Sequence, residues 1–133
     1  MEGDRYERGW EMLQRVSGGT GQRVIDSLRE VAPDFGRLIV EVPYGDVYSR
    51  PGLDLRTREL VTVAALTAIG HARAQLKVHI EGALNVGCAR EEIVETIMHV
   101  AVFAGFPAAL NGLLTARDVF VKRNSRERDE AQG

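Results

Sequence analysis

Histidine is the residue type in this sequence best suited to moving protons near neutral pH, and His79 has the most informative surroundings. Apolar residues recur around it at the spacing of an amphipathic helix, namely Leu76, Ile80, Ala83 and Leu84. His79 falls within this stripe, so its side chain is expected on the buried face. A buried imidazole must find hydrogen-bond partners or it destabilises the fold. Spacing alone leaves two interpretations open: a hydrogen-bonded core histidine, or an acid–base group of a site.

Other residues that can carry charge lie outside this stripe. His99 follows Glu95 by four positions, so the two can pair on one helix face, and His99 is a second acid candidate. His71 follows the end of an apolar helix and is expected to be a helix-end group. Arg50 and Arg58 carry guanidinium groups, which bind carboxylates through parallel hydrogen bonds. They are equally expected to be solvated or helix-end charges.

The histidines and the single cysteine do not form a metal-binding pattern. His71 and His79 are separated along the chain, His99 lies on another predicted helix, and no dense set of carboxylates accompanies them. We therefore expect no bound metal. Cys88 is the only cysteine, which excludes an intrachain disulfide and a multi-cysteine metal site. It is expected to be a small buried residue rather than a nucleophile.

Length and charge restrict the class of protein. The chain has 133 residues, of which 44% are hydrophobic and 27% charged, and its net charge is -2, which fits one soluble domain. Nucleic acids select a basic field that this chain lacks, so no nucleic-acid partner is expected. The start, Met1 to Asp4, is acidic and no apolar segment follows it, and the apolar run 60–69 is too short to span a bilayer. We expect a cytoplasmic protein with no membrane partner.

Apolar periodicity predicts an all-α fold of about seven helices. The predicted helices cover approximately residues 4–16, 20–31, 33–42, 55–69, 75–85, 91–104 and 108–121. Glycines at 18, 19 and 21 predict a break between the first two, and Pro43 is expected to kink or end the third. One domain is predicted over residues 1–123. Residues 124–133 form a charged tail that is expected to fray.

Two segments of this predicted fold indicate contacts beyond the chain's own core. The helix over 55–69 is apolar on nearly all sides, which is typical of a helix that is central in its domain or covered by another subunit. We therefore expect self-association. The segment from Tyr44 to Leu53 is predicted to be irregular. Its residues Tyr44 and Tyr48 suit a pocket wall or a subunit contact, and equally an ordinary connection between helices.

Several short motifs, in this order and at this spacing, resemble the carboxymuconolactone decarboxylase family, within the alkylhydroperoxidase D-like superfamily. They are Arg50-Pro51-Gly52-Leu53, Thr57-Arg58, Leu76-Lys77-Val78-His79, Ala83-Leu84-Asn85-Val86-Gly87, Arg90-Glu91-Glu92-Ile93 and Ala104-Gly105-Phe106-Pro107-Ala108-Ala109. The opening Arg5-Tyr6-Glu7-Arg8-Gly9 and the segment Tyr44 to Leu53 are similar to the gamma-carboxymuconolactone decarboxylase branch. The resemblance implies an alkylhydroperoxidase D-like helical fold, assembly as homotrimers or homohexamers, and a role in the catabolism of aromatic acids.

The resemblance also implies a reaction, the cofactor-independent decarboxylation of gamma-carboxymuconolactone or a close lactone acid to an enol-lactone. Such a site needs donors for a developing enolate oxygen, an acid that protonates carbon, and cations for carboxylates. The candidate catalytic residues are His79, Glu59 and His99, with Glu59 either orienting a histidine or filling a structural role. The candidate substrate-binding residues are Arg50, Arg58, Tyr44 and Tyr48. No organic cofactor is expected, because the conjugated lactone can accept the electrons itself.

The sequence disfavours one other function of the superfamily and leaves two alternatives open. The peroxidase branch of the superfamily uses a Cys-x-x-Cys pair ahead of its histidine, but Ala72 and Gln75 occupy those positions here. Neither residue can form a thiolate, so thiol peroxidase activity is disfavoured. Two alternatives stay open from the sequence: a family member that acts on another lactone, by hydrolysis or isomerisation, and a non-catalytic helical oligomer that binds small acids.

Overall fold

A computed structural model of the chain describes residues 2–133, and every regular element in that range is helical. There are six α-helices and one π-helical segment, which confirms the all-α prediction: α1 (Glu2–Ser27), α2 (Pro33–Ile39), the π-helical segment (Val40–Tyr48), α3 (Leu55–Ile69), α4 (Arg73–Asn85), α5 (Arg90–Ala104) and α6 (Phe106–Gln132). Met1, part of the predicted acidic start and domain, lies outside the described residues. The chain divides into two compact units, Met1–Arg58 and Glu59–Gly133.

The predicted break after the first helix is a kink, and the helix count is corrected accordingly. Gly18 takes φ 54° and ψ -134°, a left-handed backbone conformation that favours glycine, and α1 runs through it. The two predicted helices over 4–16 and 20–31 are therefore the two arms of α1, before and after Gly18.

Pro43 does interrupt the α-helix, as predicted, because α2 stops at Ile39 and a π-helix follows, but the prediction of an irregular segment from Tyr44 was wrong as far as Tyr48. The chain does not become irregular at Tyr44, because a π-helix extends from Val40 to Tyr48 with Pro43 inside it. Proline lacks an N–H, and its ring clashes with the carbonyl four residues earlier in an α-helix. The wider π turn, with hydrogen bonds to the fifth residue, relieves this clash. Helicity thus continues to Tyr48.

In the first unit, α1 and the π-helical segment bring their backbones into close contact at two glycines. A side-chain carbon added to Gly9 would overlap the carbonyl oxygen of Val40. A side-chain carbon added to Gly45 would lie 2.8 Å from the carbonyl oxygen of Arg5. Glycine is therefore required at both positions for this helix packing.

Ion pairs join the same two elements beside the glycine contact. Arg5 donates through Nε to Oδ1 of Asp46 at 2.9 Å and through Nη2 to Oδ2 at 2.6 Å. Glu41 is buried and accepts from Nη1 of Arg5 at 3.3 Å and from Nε of Arg37 at 2.7 Å. A buried carboxylate needs such partners to offset its loss of hydration. The two guanidinium groups therefore make the burial of Glu41 tolerable.

In the second unit, α3 to α6 supply one hydrophobic core. The largest of its fully buried members are aliphatic: Val63, Ile80, Ile93 and Ile97. Cys88 is part of this core, in agreement with its predicted burial. Gly87, at φ 100°, follows the end of α4 in a left-handed conformation that favours glycine.

The charged tail of the second unit differs from its prediction, because α6 continues to Gln132. Side chains of this last stretch bond to α4. Arg126 donates to Oε1 of Glu81 at 3.2 Å, and Arg123 donates to Oδ1 of Asn85 at 3.1 Å. These contacts, together with helix-favouring Arg, Glu and Ala residues, account for the extra turns. The sequence beyond Val121 has no apolar periodicity, so it did not predict these helical turns. The single-domain boundary at residue 123 stays a prediction.

Replacement of Gly9 by alanine is expected to destabilise the first unit by about 3 kcal/mol or more, because the added carbon forces α1 away from Val40. Gly19→Ala is the matched control, since Gly19 lies on the same helix with nothing within 4 Å of the added carbon. The control is expected to be neutral or slightly stabilising. Urea unfolding measures the stability of both variants. Equal unfolding midpoints for Gly9→Ala and Gly19→Ala would contradict the close contact between Gly9 and the backbone of Val40.

The Arg5–Asp46 pair predicts a loss of stability in acid. The hydrogen bond from Arg5 holds the pKa of Asp46 below its usual value. A group whose folded pKa is lowered stabilises the fold above its unfolded pKa, here about 3.9, and loses that contribution as the pH falls through the folded value. We expect a smaller acid-induced loss of stability below about pH 4 in Asp46→Asn than in the wild type. Urea unfolding midpoints of both proteins at pH 7 and pH 3 measure this loss. An equal loss of stability in the wild type and in Asp46→Asn would refute the prediction.

Candidate active site

The central feature of the second unit is a contact between Glu59 of α3 and His79 of α4. Oε2 of Glu59 lies 3.0 Å from Nδ1 of His79, and Oε1 lies 3.4 Å from the same nitrogen. The Glu59 side chain is 0% exposed, whereas the His79 side chain keeps 17% exposure. The pair therefore consists of a fully buried carboxylate and an imidazole that solvent can reach.

The register of two helices places these side chains against each other. On α3, Glu59, Val63 and Thr67 follow at i, i+4 and i+8, and all three are buried. On α4, His79 borders the buried residues Leu76 and Ile80, as the apolar spacing predicted. Both helices thus turn their buried stripes toward the same core.

The contact distinguishes the two ring nitrogens of His79. An ionised carboxylate only accepts hydrogen bonds, so with Glu59 in that form the proton of this contact belongs to Nδ1 of His79. Nε2 lies on the opposite side of the ring and can give or take a proton. The carboxylate also stabilises the positive charge of a protonated imidazole. This arrangement is that of a general acid–base group whose ring is held in place by its partner.

The two predicted carboxylate-binding arginines differ in their surroundings within the first unit. Arg58 donates from Nε to the carbonyl oxygen of Leu53 at 3.2 Å and from Nη2 to that of Arg50 at 3.0 Å, so it braces the turn before α3. Asp54 caps α3 in the same turn by accepting from Thr57 N–H at 2.8 Å. The exposed Arg50 side chain makes no hydrogen bond or ion pair with any described residue. Arg50 is therefore the cation that is more accessible to a ligand.

The π-helical segment brings together the two tyrosines that were predicted to bind substrate. The ring centroids of Tyr44 and Tyr48 lie 5.0 Å apart with an interplanar angle of 45°. Tyr44 is buried, whereas Tyr48 is partly exposed. Of the two, only Tyr48 has a surface that a ligand could contact without a change in packing.

The remaining histidines do not join the Glu59–His79 pair. His99 is exposed and packs on the ring of Phe103 at 5.7 Å, and it has no hydrogen bond to Glu95, which corrects the predicted pairing. His71 is exposed in the short turn before α4. Within residues 2–133, no group of three or more histidine, cysteine, aspartate or glutamate side chains could hold a metal ion.

The second unit also contains a cavity that sequence reasoning missed. Its volume is about 170 Å³, and it lies among α3, α4 and α6, with Arg73 and Asn111 among its polar lining residues. Arg73 pairs with Asp118 at 2.9 Å. The only sequence signal was the position of Arg73, a cation at the start of a helix, where the dipole disfavours positive charge. Neither Glu59 nor His79 lines this cavity.

None of the helices in the described part of the chain combines the length and the apolar character that a bilayer requires.

Comparison with known proteins adds three relatives and a family. The model of the carboxymuconolactone decarboxylase family matches residues 33–118. The chain is 36% identical over 117 residues to 4-carboxymuconolactone decarboxylase of Acinetobacter baylyi, covering 87% of each chain. It is 33% identical over 117 residues to nitrosuccinic acid decarboxylase of Metarhizium robertsii, covering 84% of this chain and 78% of the relative. It is 29% identical over 119 residues to an uncharacterised 15.0 kDa protein of Paracoccus denitrificans, covering 89% of each.

Proposed function

Because the chain belongs to the carboxymuconolactone decarboxylase family and is a carboxy-lyase, we propose that it decarboxylates gamma-carboxymuconolactone, also written 4-carboxymuconolactone, or a close lactone acid. The product is an enol-lactone. The observation that carries the proposal is the contact between the buried Glu59 carboxylate and Nδ1 of His79. The fold that goes with this assignment is the alkylhydroperoxidase D-like helical fold.

The reaction needs one carbon–carbon bond to break and one carbon–hydrogen bond to form. When carbon dioxide leaves, the electron pair of the broken bond spreads through the conjugated lactone to its carbonyl oxygen. His79 then gives the proton on Nε2 to the ring carbon next to that carbonyl, and the double bond moves into its new position. His79 regains a proton from water. One proton is consumed for each carbon dioxide released.

Glu59 acts through His79 in this mechanism. Its carboxylate fixes the ring orientation and keeps the proton on Nδ1, so that Nε2 faces the substrate. It also stabilises the imidazolium from which the proton is delivered. Because Glu59 is fully buried and bonds to the imidazole, this orientation is held before substrate arrives. No organic cofactor is required, since the conjugated lactone accepts the electrons.

The substrate keeps a second carboxylate after the first has left, and a cation is needed to bind it. We assign Arg50 to this role, because its exposed guanidinium has no partner among the described residues. Arg58 is assigned a bracing role, since it bonds to the carbonyl oxygens of Arg50 and Leu53. Tyr48 contributes contact surface, whereas the buried Tyr44 supports it.

A second candidate substrate follows from the relative named nitrosuccinic acid decarboxylase. A carboxylate next to a nitro-bearing carbon can also lose carbon dioxide without a cofactor, because the nitro group accepts the electron pair. The same acid, His79, would then protonate the carbon that lost the carboxylate. Parallel assays with the lactone and with nitrosuccinate distinguish the two substrates, and the proposal requires the larger kcat/KM for the lactone.

We further propose that the protein assembles as a homotrimer or homohexamer through an apolar face on α5 and α6. The face consists of large hydrophobic side chains that the single chain leaves exposed: Met98, Val102, Phe103, Phe106 and Leu110. Phe103 and Phe106 are 82% and 81% exposed. A soluble chain rarely leaves such a cluster uncovered unless it is a contact surface.

Replacement of His79 by glutamine is expected to lower kcat for carboxymuconolactone by about 10²- to 10⁴-fold, because the carbon acid is lost. Glu59→Gln keeps the shape but removes the charge that stabilises the imidazolium, so a smaller loss is expected. His71→Gln is the matched control, as His71 is exposed outside the pair. Carbon dioxide release and enol-lactone absorbance measure turnover. A folded His79→Gln variant with full turnover would refute the assignment.

The apolar face predicts that assembly depends on Phe103 and Phe106. The double variant Phe103→Ser/Phe106→Ser is expected to have a smaller mass in solution than the wild type, measured by light scattering after size-exclusion chromatography. Val31→Ser is the control, because Val31 is 82% exposed in the first unit and lies outside the face. A monomeric wild type at micromolar concentration, or an unchanged mass of the double variant, would exclude this interface.

A further inference from the structure

One histidine, His99, has no role in the proposed reaction and lies on the surface of α5. Its side chain is exposed, and its ring packs on the ring of Phe103 with 5.7 Å between the centroids. It makes neither a hydrogen bond nor an ion pair with any residue in the range 2–133. The structure therefore gives His99 no polar partner in the chain.

The surroundings of His99 on α5 are apolar. With 3.6 residues per turn, its side chain projects between those of Val102 and Phe103, and Met98 lies beside them. Val102 is 71% exposed and Met98 is 50% exposed. His99 is thus enclosed by members of the apolar face on α5 and α6 through which assembly is proposed.

The segment that forms this face contains no other titratable group. Residues 96–116 include no aspartate, glutamate, lysine or arginine, and the flanking charges are Glu95 and Arg117. A partner that covers the face therefore meets an apolar surface on which a single side chain, that of His99, can gain a charge.

The neighbouring helices of the second unit offer His99 no bonded counter-ion. Their titratable and charged side chains are Glu59 on α3, Arg73, Lys77, His79 and Glu81 on α4, and those from Arg117 onward on α6. Among the described residues, none of these groups bonds to His99. Glu95 is the nearest charge along α5, one turn before His99, and it is not bonded to the imidazole either. A proton on His99 is therefore unpaired.

The area and the charge of the face fit a second copy of this chain. Phe103 and Phe106 alone leave about 300 Å² of ring surface uncovered. Met98, Val102 and Leu110 extend this area toward the roughly 800 Å² that each partner buries in a standard interface. Because the face carries no fixed charge, it needs no complementary charge on its partner, and the same face of another copy meets this condition.

We propose that protonation of His99 controls assembly through the apolar face, so that the assembly weakens in mild acid. This proposal rests on the proposed assembly through that face. Covering the face takes His99 out of water, and an imidazolium without a counter-ion is far less stable there than a neutral imidazole. Histidine is the side chain that changes charge between pH 5 and 8. Since the separate copies can take up a proton that the assembly excludes, the assembly loses stability as the pH falls.

Sedimentation equilibrium of the full chain, in a dilution series at pH 8 and at pH 5.5, tests the proposal. A histidine in water is half protonated near pH 6.5, so association should be weaker at pH 5.5 by about tenfold for each buried imidazole. His99→Gln cannot be protonated and should associate equally at both pH values. His99→Arg is always charged and should associate more weakly than the wild type at both.

His71→Gln is the control variant, because His71 is an exposed histidine outside the face, and it should keep the pH dependence of the wild type. Far-UV circular dichroism checks that each variant is folded. The proposal alone is overturned if the wild type associates equally at both pH values, if acid strengthens association through a pair with Glu95, or if His99→Gln dissociates in acid as the wild type does. A wild type that is monomeric at both pH values overturns the proposed assembly as well.

Discussion

The buried carboxylate of Glu59 is the constraint on which the second unit depends. A charge taken fully out of water destabilises a fold by several kcal/mol unless a partner compensates it. His79 supplies that partner from the next helix at 3.0 Å, which ties the register of α4 to that of α3. The apolar residues on either side of the pair then fall into one core. The Glu59–His79 contact and the apolar core thus impose the same helix register. Replacement of either residue alone removes this contact from the other.

The first unit handles buried charge in a similar way but with arginines. Glu41 lies between the guanidinium groups of Arg5 and Arg37, and these bonds hold α1 and α2 to the π-helical segment. Close backbone contact at Gly9 is possible because no side chain intervenes. The unusual π-helix therefore rests on three local causes: a proline that an α-helix rejects, a glycine contact, and a compensated carboxylate.

The fold class and most helix positions were predictable because apolar periodicity depends only on neighbours along the chain. The burial of Leu76 and Ile80 and the cap at Asp54 followed directly from local rules. The π-helix was not predictable, since Pro43 signals only that an α-helix cannot continue, not which alternative replaces it. The end of α6 was missed because its bonds to Glu81 and Asn85 come from residues distant in sequence.

In the candidate site, too, local sequence patterns predicted some features, whereas others depend on contacts between residues distant in sequence. His79 was identified from its place in an amphipathic stripe, but its pairing with Glu59 depends on how two helices dock, which spacing within either helix does not contain. The expected Glu95–His99 pair failed for the converse reason. A separation of four residues permits a contact but does not require one, and the exposed His99 lies against Phe103 without a hydrogen bond to Glu95.

The left-handed residue Gly18 has a consequence for the dynamics of α1. The repeating backbone geometry is interrupted there, so helix order cannot propagate cooperatively from one arm to the other. The arm that carries Tyr6 and Gly9 and the arm that carries Ile25 are therefore separate cooperative segments, each stabilised by its own tertiary contacts. Their amide protons should exchange with solvent at independent rates, with the boundary at this one glycine.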